Sequence, residues 1–149
     1  MAADLRFTLD TAVYGEALRR VEKELGDLSE LMGLLCGRVI KMVTRKFAQS
    51  GPGWAPLSKR TLQRRRKQGK GAKPLLDTGR LRASVVAEGE GGVLEITSIG
   101  FRLGTNLKYA GTHQFGRGKV PARPFMPTNE ELEGEFYPLI ERYLARVLS

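Results

Sequence analysis

Leu28, Leu31, Met32, Leu35, Val39, Ile40, Val43 and Phe47 recur three and four positions apart. That spacing predicts a long helix with one broad apolar stripe, the best candidate for the centre of the core. Asp27 with Glu30 three residues on predicts a variant capping box at its start. Lys41, Arg45 and Lys46 fall near its end, where the helix dipole favours cations. A helix is also predicted just before it, with Val13, Ala17, Leu18, Val21 and Leu25 on one face. Asp10 or Thr11 can start that helix and Gly26 can end it. Upstream, "LRFTL" at 5–9 alternates in the manner of a short strand.

"SGPGWAPLS" at 50–58 breaks the helical period with two glycines and two prolines. Its Trp54 is expected to fold back onto the core. Ser58 then caps a short helix, "KRTLQRRRKQ", with Leu57 and Leu62 at the spacing of a hydrophobic staple and Gly69 at its end. "LLDTGRLRASV" offers Asp77 or Thr78 as the cap of a short helical turn carrying Leu81. Residues 84–88 and 93–99 read as two strands joined by "GEGG", with "FRLGT" as a third strand or an edge. Thr128 and Glu131 form a capping box. A final helix follows, with Glu130, Glu131 and Glu133 in its first turn. Its apolar face is Leu132, Phe136, Leu139, Ile140, Tyr143, Leu144 and Val147, with Pro138 as a candidate kink. Together these elements predict an α+β fold. Long helices pack on a small, mainly antiparallel sheet, with extended basic and proline-containing loops.

Composition narrows the function more than the fold. A chain of 149 residues is expected to form a single domain over 1–149. The net charge of +9 and a pI near 10.1 point to an acidic partner. There is one cysteine, Cys36, in an apolar stretch, so a packing role is expected and an internal disulfide is impossible. "MAADLRFTLD" has no basic-then-apolar leader pattern. No apolar run reaches the ~18 residues of a membrane span. A cytoplasm-like compartment and no membrane partner are therefore expected.

Candidate chemistry is sparse. His113 is the one histidine, flanked by Thr112 and Gln114, and one His with one Cys cannot furnish a zinc site. No catalytic residue, metal ligand or cofactor-binding residue is assigned, and no P-loop is present. The stronger feature is a run of eight cations with no acid between them: Lys59, Arg60, Arg64, Arg65, Arg66, Lys67, Lys70 and Lys73. Arg60, Arg64 and Lys67 share one helical side. The cluster is a candidate contact for a partner protein or for DNA phosphates, with backbone contact favoured over base reading.

The stretch "YAGTHQFGRGKVPARPFMP" at 109–127 reads as a structural connector and contact loop. Tyr109, His113, Gln114 and Phe115 fall in a short turn or helix, and "GRG" gives a flexible arc. Pro121, Pro124 and Pro127 stiffen the remainder around Arg123, and Phe125 anchors it to the core. His113 is expected to hydrogen-bond in a packed turn.

"KFAQSGPGWAPLSKRTLQRR", "LLDTGRLRASV", "RLGTN", "YAGTHQFG" and "PARPFMP" occur in that order between Lys46 and Pro127. Through these blocks the chain resembles the phage virion morphogenesis family, which includes tail-completion proteins and the G protein of phage Mu. The resemblance implies a non-enzymatic structural protein acting in tail completion or head–tail joining, without cofactors. It implies other tail or neck proteins as partners, a homo-oligomeric ring in the virion, and DNA in the channel as a neighbour. The protein would be in the host cytoplasm during assembly and in the virion afterwards. Two readings from other classes stand beside it. One is a nucleic-acid-binding protein using residues 59–73 on phosphates, and the other is a small hydrolase built around His113.

Overall fold

The computed structural model describes residues 5–8, 19, 22–23, 25–51, 53–86 and 89–149, with β1 described through its backbone alone. In chain order the elements are β1 (Leu5–Thr8), α1 (Ser29–Ala48), α2 (Lys59–Lys67) and α3 (Arg80–Val85). They continue with β2 (Gly92–Ile96), β3 (Phe101–Thr105), α4 (Ala110–Phe115) and α5 (Asn129–Leu148). The architecture is α+β. The helix expected over 10–26 lies largely outside the described residues. Its end is visible, where Gly26 at φ 82° donates to Glu22 O at 2.7 Å.

The stripe of α1 is buried as its period requires: Leu31, Met32, Leu35, Cys36, Val39, Met42, Val43 and Phe47 all face the core. The expected capping box does not form. Asp27 instead accepts from Ser29 N at 2.8 Å and from Ser29 Oγ at 2.5 Å. Glu30, freed from the cap, pairs with Arg146 at 2.7 Å. Ser29, one residue nearer to Asp27 than Glu30 is, takes the carboxylate with both its amide and its hydroxyl. The other end closes in a Schellman motif, with Gly51 N donating to Lys46 O at 2.7 Å and Ser50 N to Phe47 O at 3.3 Å. A Cβ on Gly51 would fall inside the Trp54 indole, so this turn can be made only by glycine.

Helix α5 starts with the capping box expected of Thr128 and Glu131, both bonds being present. It lies antiparallel to α1, since Lys46 meets Glu131 at 2.8 Å, Arg38 meets Glu135 at 3.5 Å and Glu30 meets Arg146. Leu132, Phe136, Leu139 and Tyr143 are its buried face, and the helix continues through Pro138.

The sheet is antiparallel with order β1-β3-β2. Here the sequence reading is corrected. Ser84 and Val85 belong to helix α3, and the hairpin partner of β2 is β3, with Gly92 opposite Thr105 and Ile96 opposite Phe101. "FRLGT" is the central strand. Leu81, Ser84 and Val85 are buried at helical spacing, and Ser84 Oγ meets Thr105 Oγ1 at 2.8 Å, which ties α3 to β3. The cap of α3 also differs: Gly79 holds the position at φ 78°, and Thr78 Oγ1 accepts from Arg80 N at 3.3 Å.

Candidate functional site

Two regions named by the sequence meet beside the end of α1. The first is the 109–127 connector. Helix α4 carries Gln114, whose Oε1 accepts from Phe125 N at 2.9 Å and Met126 N at 3.1 Å. Trp54 Nε1 donates to Pro124 O at 3.0 Å. Arg123, which is 6% exposed, donates from Nε to Ala55 O at 2.7 Å and from Nη2 to Pro56 O at 3.0 Å. Arg123 N completes the set on His113 O at 2.7 Å. An extended strand with prolines at 121, 124 and 127 has few backbone donors and no sheet neighbour. Side chains from two other segments therefore supply its hydrogen bonds. Phe125 is fully buried, 5.6 Å from the Phe47 ring centre, and Phe47 meets Trp54 edge-on at 5.8 Å. The connector is thus braced by one aromatic cluster and three polar side chains.

The expected flexible arc is a closed turn. Arg117 and Val120 exchange two backbone hydrogen bonds, at 3.0 and 2.9 Å. Gly116 has φ 76°, and a Cβ there would lie 2.8 Å from Ala122 N. Tyr109 and Phe115 stand exposed beside this turn, Phe115 at 68%.

His113 departs from its expected role. Its Nδ1 is buried and has no hydrogen-bond partner among the described residues. Burial, and after it the charge of Arg123, pushes the imidazole below its ordinary value of 6.5. Tyr109 packs edge-on at 6.0 Å. The ring is kept by packing, and the hydrogen bonds of this residue are made by its backbone, the amide donating to Tyr109 O at 3.3 Å and the carbonyl accepting from Arg123 N.

The second region is the basic run, and the fold divides it. Ser58 caps α2 as expected, its Oγ accepting from Thr61 N at 3.2 Å. Arg65 turns inward, 4% exposed, and its Nη1 donates to Gly71 O, Lys73 O and Leu76 O at 3.2, 2.7 and 3.4 Å. Arg65 therefore folds the following loop around itself and is no surface cation. Lys70 reaches Asp77 at 3.0 Å, with Arg65 and Arg64 at 3.7 and 3.9 Å from the same carboxylate. The Lys70 hydrogen bond, opposed by partial burial and helped by the two arginines, holds Asp77 below the usual carboxylate range. Lys73 Nζ donates to Ala48 O at 2.8 Å. Lys59, Arg60, Arg66 and Lys67 remain exposed, without an ion pair among the described residues.

Sequence reasoning missed Asp77 as the acid of this cluster, because it lies past the loop. Arg80 and Lys119 were also missed. They come from α3 and from the 117–120 turn to the same concavity as Arg64, Arg65 and Arg123. Among the described residues there is no grouping of His, Cys, Asp and Glu able to hold a metal ion, and no helix is long and apolar enough to cross a membrane.

Fold and site together define a small, basic α+β protein with a braced connector set over a cationic concavity. The chain belongs to the phage virion morphogenesis family, whose pattern it matches over residues 9–145. It is 31% identical over 141 residues to the Mu-like prophage FluMu G protein 2 of Haemophilus influenzae, covering 89% of this chain and 90% of that one. It is also 30% identical over 139 residues to an uncharacterized protein of Methanocaldococcus jannaschii, covering 90% and 98%. No solved structure matches the chain significantly.

Proposed function

We propose that the chain is a structural virion protein acting in tail completion or head–tail joining, as a single domain over 1–149 and without catalytic turnover. The observation that carries this reading is the braced connector. Its backbone is fixed by Gln114, Trp54 and Arg123, so Phe115 and Tyr109 are presented on a rigid base. A preorganised aromatic contact loses little entropy on docking. Membership of the family and similarity to a prophage G protein support the same role. The partners are other tail or neck proteins, with copies of the chain arranged as a ring around the DNA channel. The protein assembles in the host cytoplasm and remains in the particle. Deleting its gene from the phage or prophage tests the role. Unjoined heads and defective tails are expected, and imaging of complemented particles is expected to show a ring at the tail end. Infectious particles from the deletion would overturn it.

The nucleic-acid reading has one observation in its favour: Lys59, Arg60, Arg66 and Lys67 are exposed and unpaired among the described residues. Phosphate contact by these four predicts DNA binding that weakens with salt, with a log–log slope of about −0.9 per phosphate neutralised and little base preference.

A further inference from the structure

Between α2, the loop leading to α3 and the 117–120 turn lies a concavity of about 620 Å³. Arg65 and Arg123 are its buried cations, and Arg64, Arg80 and Lys119 are its exposed ones. Asp77 is its single carboxylate, and that group is already engaged by Lys70, Arg64 and Arg65. Arg123 bonds only to neutral carbonyls, so its charge has no counter-ion among the described residues. Of the buried polar atoms there, Arg65 Nε faces Asp77 Oδ1 at 3.7 Å, beyond hydrogen-bond reach, and His113 Nδ1 has no hydrogen-bond partner among the described residues. Burial and the neighbouring Arg65 weaken the hold of Arg123 on its proton, and burial with Arg123 does the same to His113. The concavity is therefore short of negative charge: Arg123 has no counter-ion among the described residues, and the one carboxylate is shared by Lys70, Arg64 and Arg65. Buried cations normally have a counter-charge, because an isolated one gives up its hydration with nothing to replace it.

We propose that this concavity is a docking site for a carboxylate-bearing, partly apolar peptide segment of another virion protein. The walls decide between a peptide and a nucleic acid. Leu57, Leu81, Tyr109 and Val120 line the same space. An acidic segment with a neighbouring aliphatic side chain can satisfy both the cations and this apolar surface. The phosphate ridge of a duplex can reach the exposed residues of α2 but has nothing to place against those walls. The inference deepens the structural role proposed above and rests on it for the source of the segment.

The chain's single histidine provides the test. The imidazole carbon–proton signal of His113 in the labelled full-length protein is followed by NMR during four titrations. The probes are a blocked peptide alternating glutamate and leucine, its glutamine counterpart, inorganic phosphate, and a short DNA duplex. A saturable shift with the acidic peptide alone is expected. Lys119→Glu, at an exposed position with no ion pair among the described residues, and Arg80→Gln, which gives up only the exposed Arg80–Glu90 pair at 3.5 Å, are expected to weaken that binding, the first by at least about tenfold, and to leave the free protein's spectrum otherwise in place. An equal response to the glutamine peptide, saturation by phosphate at similar concentration, or displacement of the peptide by the duplex overturns the proposal. So does unchanged binding in both variants. These titrations need no particles and the gene deletion needs no peptide, so failure of the docking site and failure of the virion role are separately visible.

Discussion

The connector and the concavity lie side by side, share Arg123, and are built on opposite principles. Along the connector, each side chain that bonds the backbone has a partner at 2.7–3.1 Å, and an aromatic cluster locks the arrangement from behind. In the concavity, cations outnumber carboxylates, and two buried nitrogens, Arg65 Nε and His113 Nδ1, make no hydrogen bond among the described residues. The satisfied region holds a shape. The unsatisfied one stores a preference for a charge that an assembly partner could bring. Arg123 joins them, fixing the connector through two carbonyls while contributing an uncompensated charge to its neighbour.

The comparison breaks most visibly at Phe125. Phe125→Ala removes a fully buried ring from the cluster with Phe47 and is expected to cost about 3–5 kcal/mol, measured by denaturant unfolding. A loss below about 1 kcal/mol would mean that the connector is not held from behind. Next comes a contrast of neighbours. Arg65→Met leaves three loop carbonyls without their donor and is expected to cost about 2–3 kcal/mol, whereas Arg66→Met is expected to stay within about 0.5 kcal/mol. Equal effects would put Arg65 on the surface with the rest of the run. Gln114→Leu strips the acceptor from the amides of Phe125 and Met126 and is expected to cost about 2 kcal/mol.

The smallest effect concerns pH. The folded His113 holds its proton less tightly than the unfolded chain does, so the unfolded state binds more protons between the folded value and 6.5. Stability is therefore full above 6.5 and declines as pH falls through that window. Glu131 also declines with acid, but below the ordinary carboxylate value of 4.5. Burial raises its pKa, and the hydrogen bonds from Lys46 and Thr128 together overcome that and lower it. Melting temperatures of wild type and His113→Gln at pH values above the carboxylate range isolate the histidine. The variant is expected to lose the slope, and an unchanged slope would mean that a group other than His113 carries it.

Where one period governed, the sequence was legible. The stripe of α1, the Thr128–Glu131 box and the Ser58 cap are local patterns, and tertiary packing did not override them. The helical turn at Leu81 was read as such, but the stretch 84–86 was misread as the start of a strand because its β-branched valines suit one. Gly79 at positive φ and the Ser84–Thr105 contact made it a helix. In the basic run, charge hid position. Nothing in "QRRRK" distinguishes Arg65 from its neighbours except its place three residues after Leu62, the inward side of a short helix. Gln114 and Arg123 were read as members of the connector, but the side-chain bonds that brace it span 11 to 70 residues and are invisible to any local pattern.

The central claim is that the braced connector is a contact surface within a phage particle. A photo-crosslinking amino acid in place of Phe115, incorporated in assembled particles and analysed by mass spectrometry, tests it most directly. The account predicts cross-links to a tail or neck protein or to a neighbouring copy of this chain. Particles that contain the protein and yield no protein cross-link from that position would contradict it.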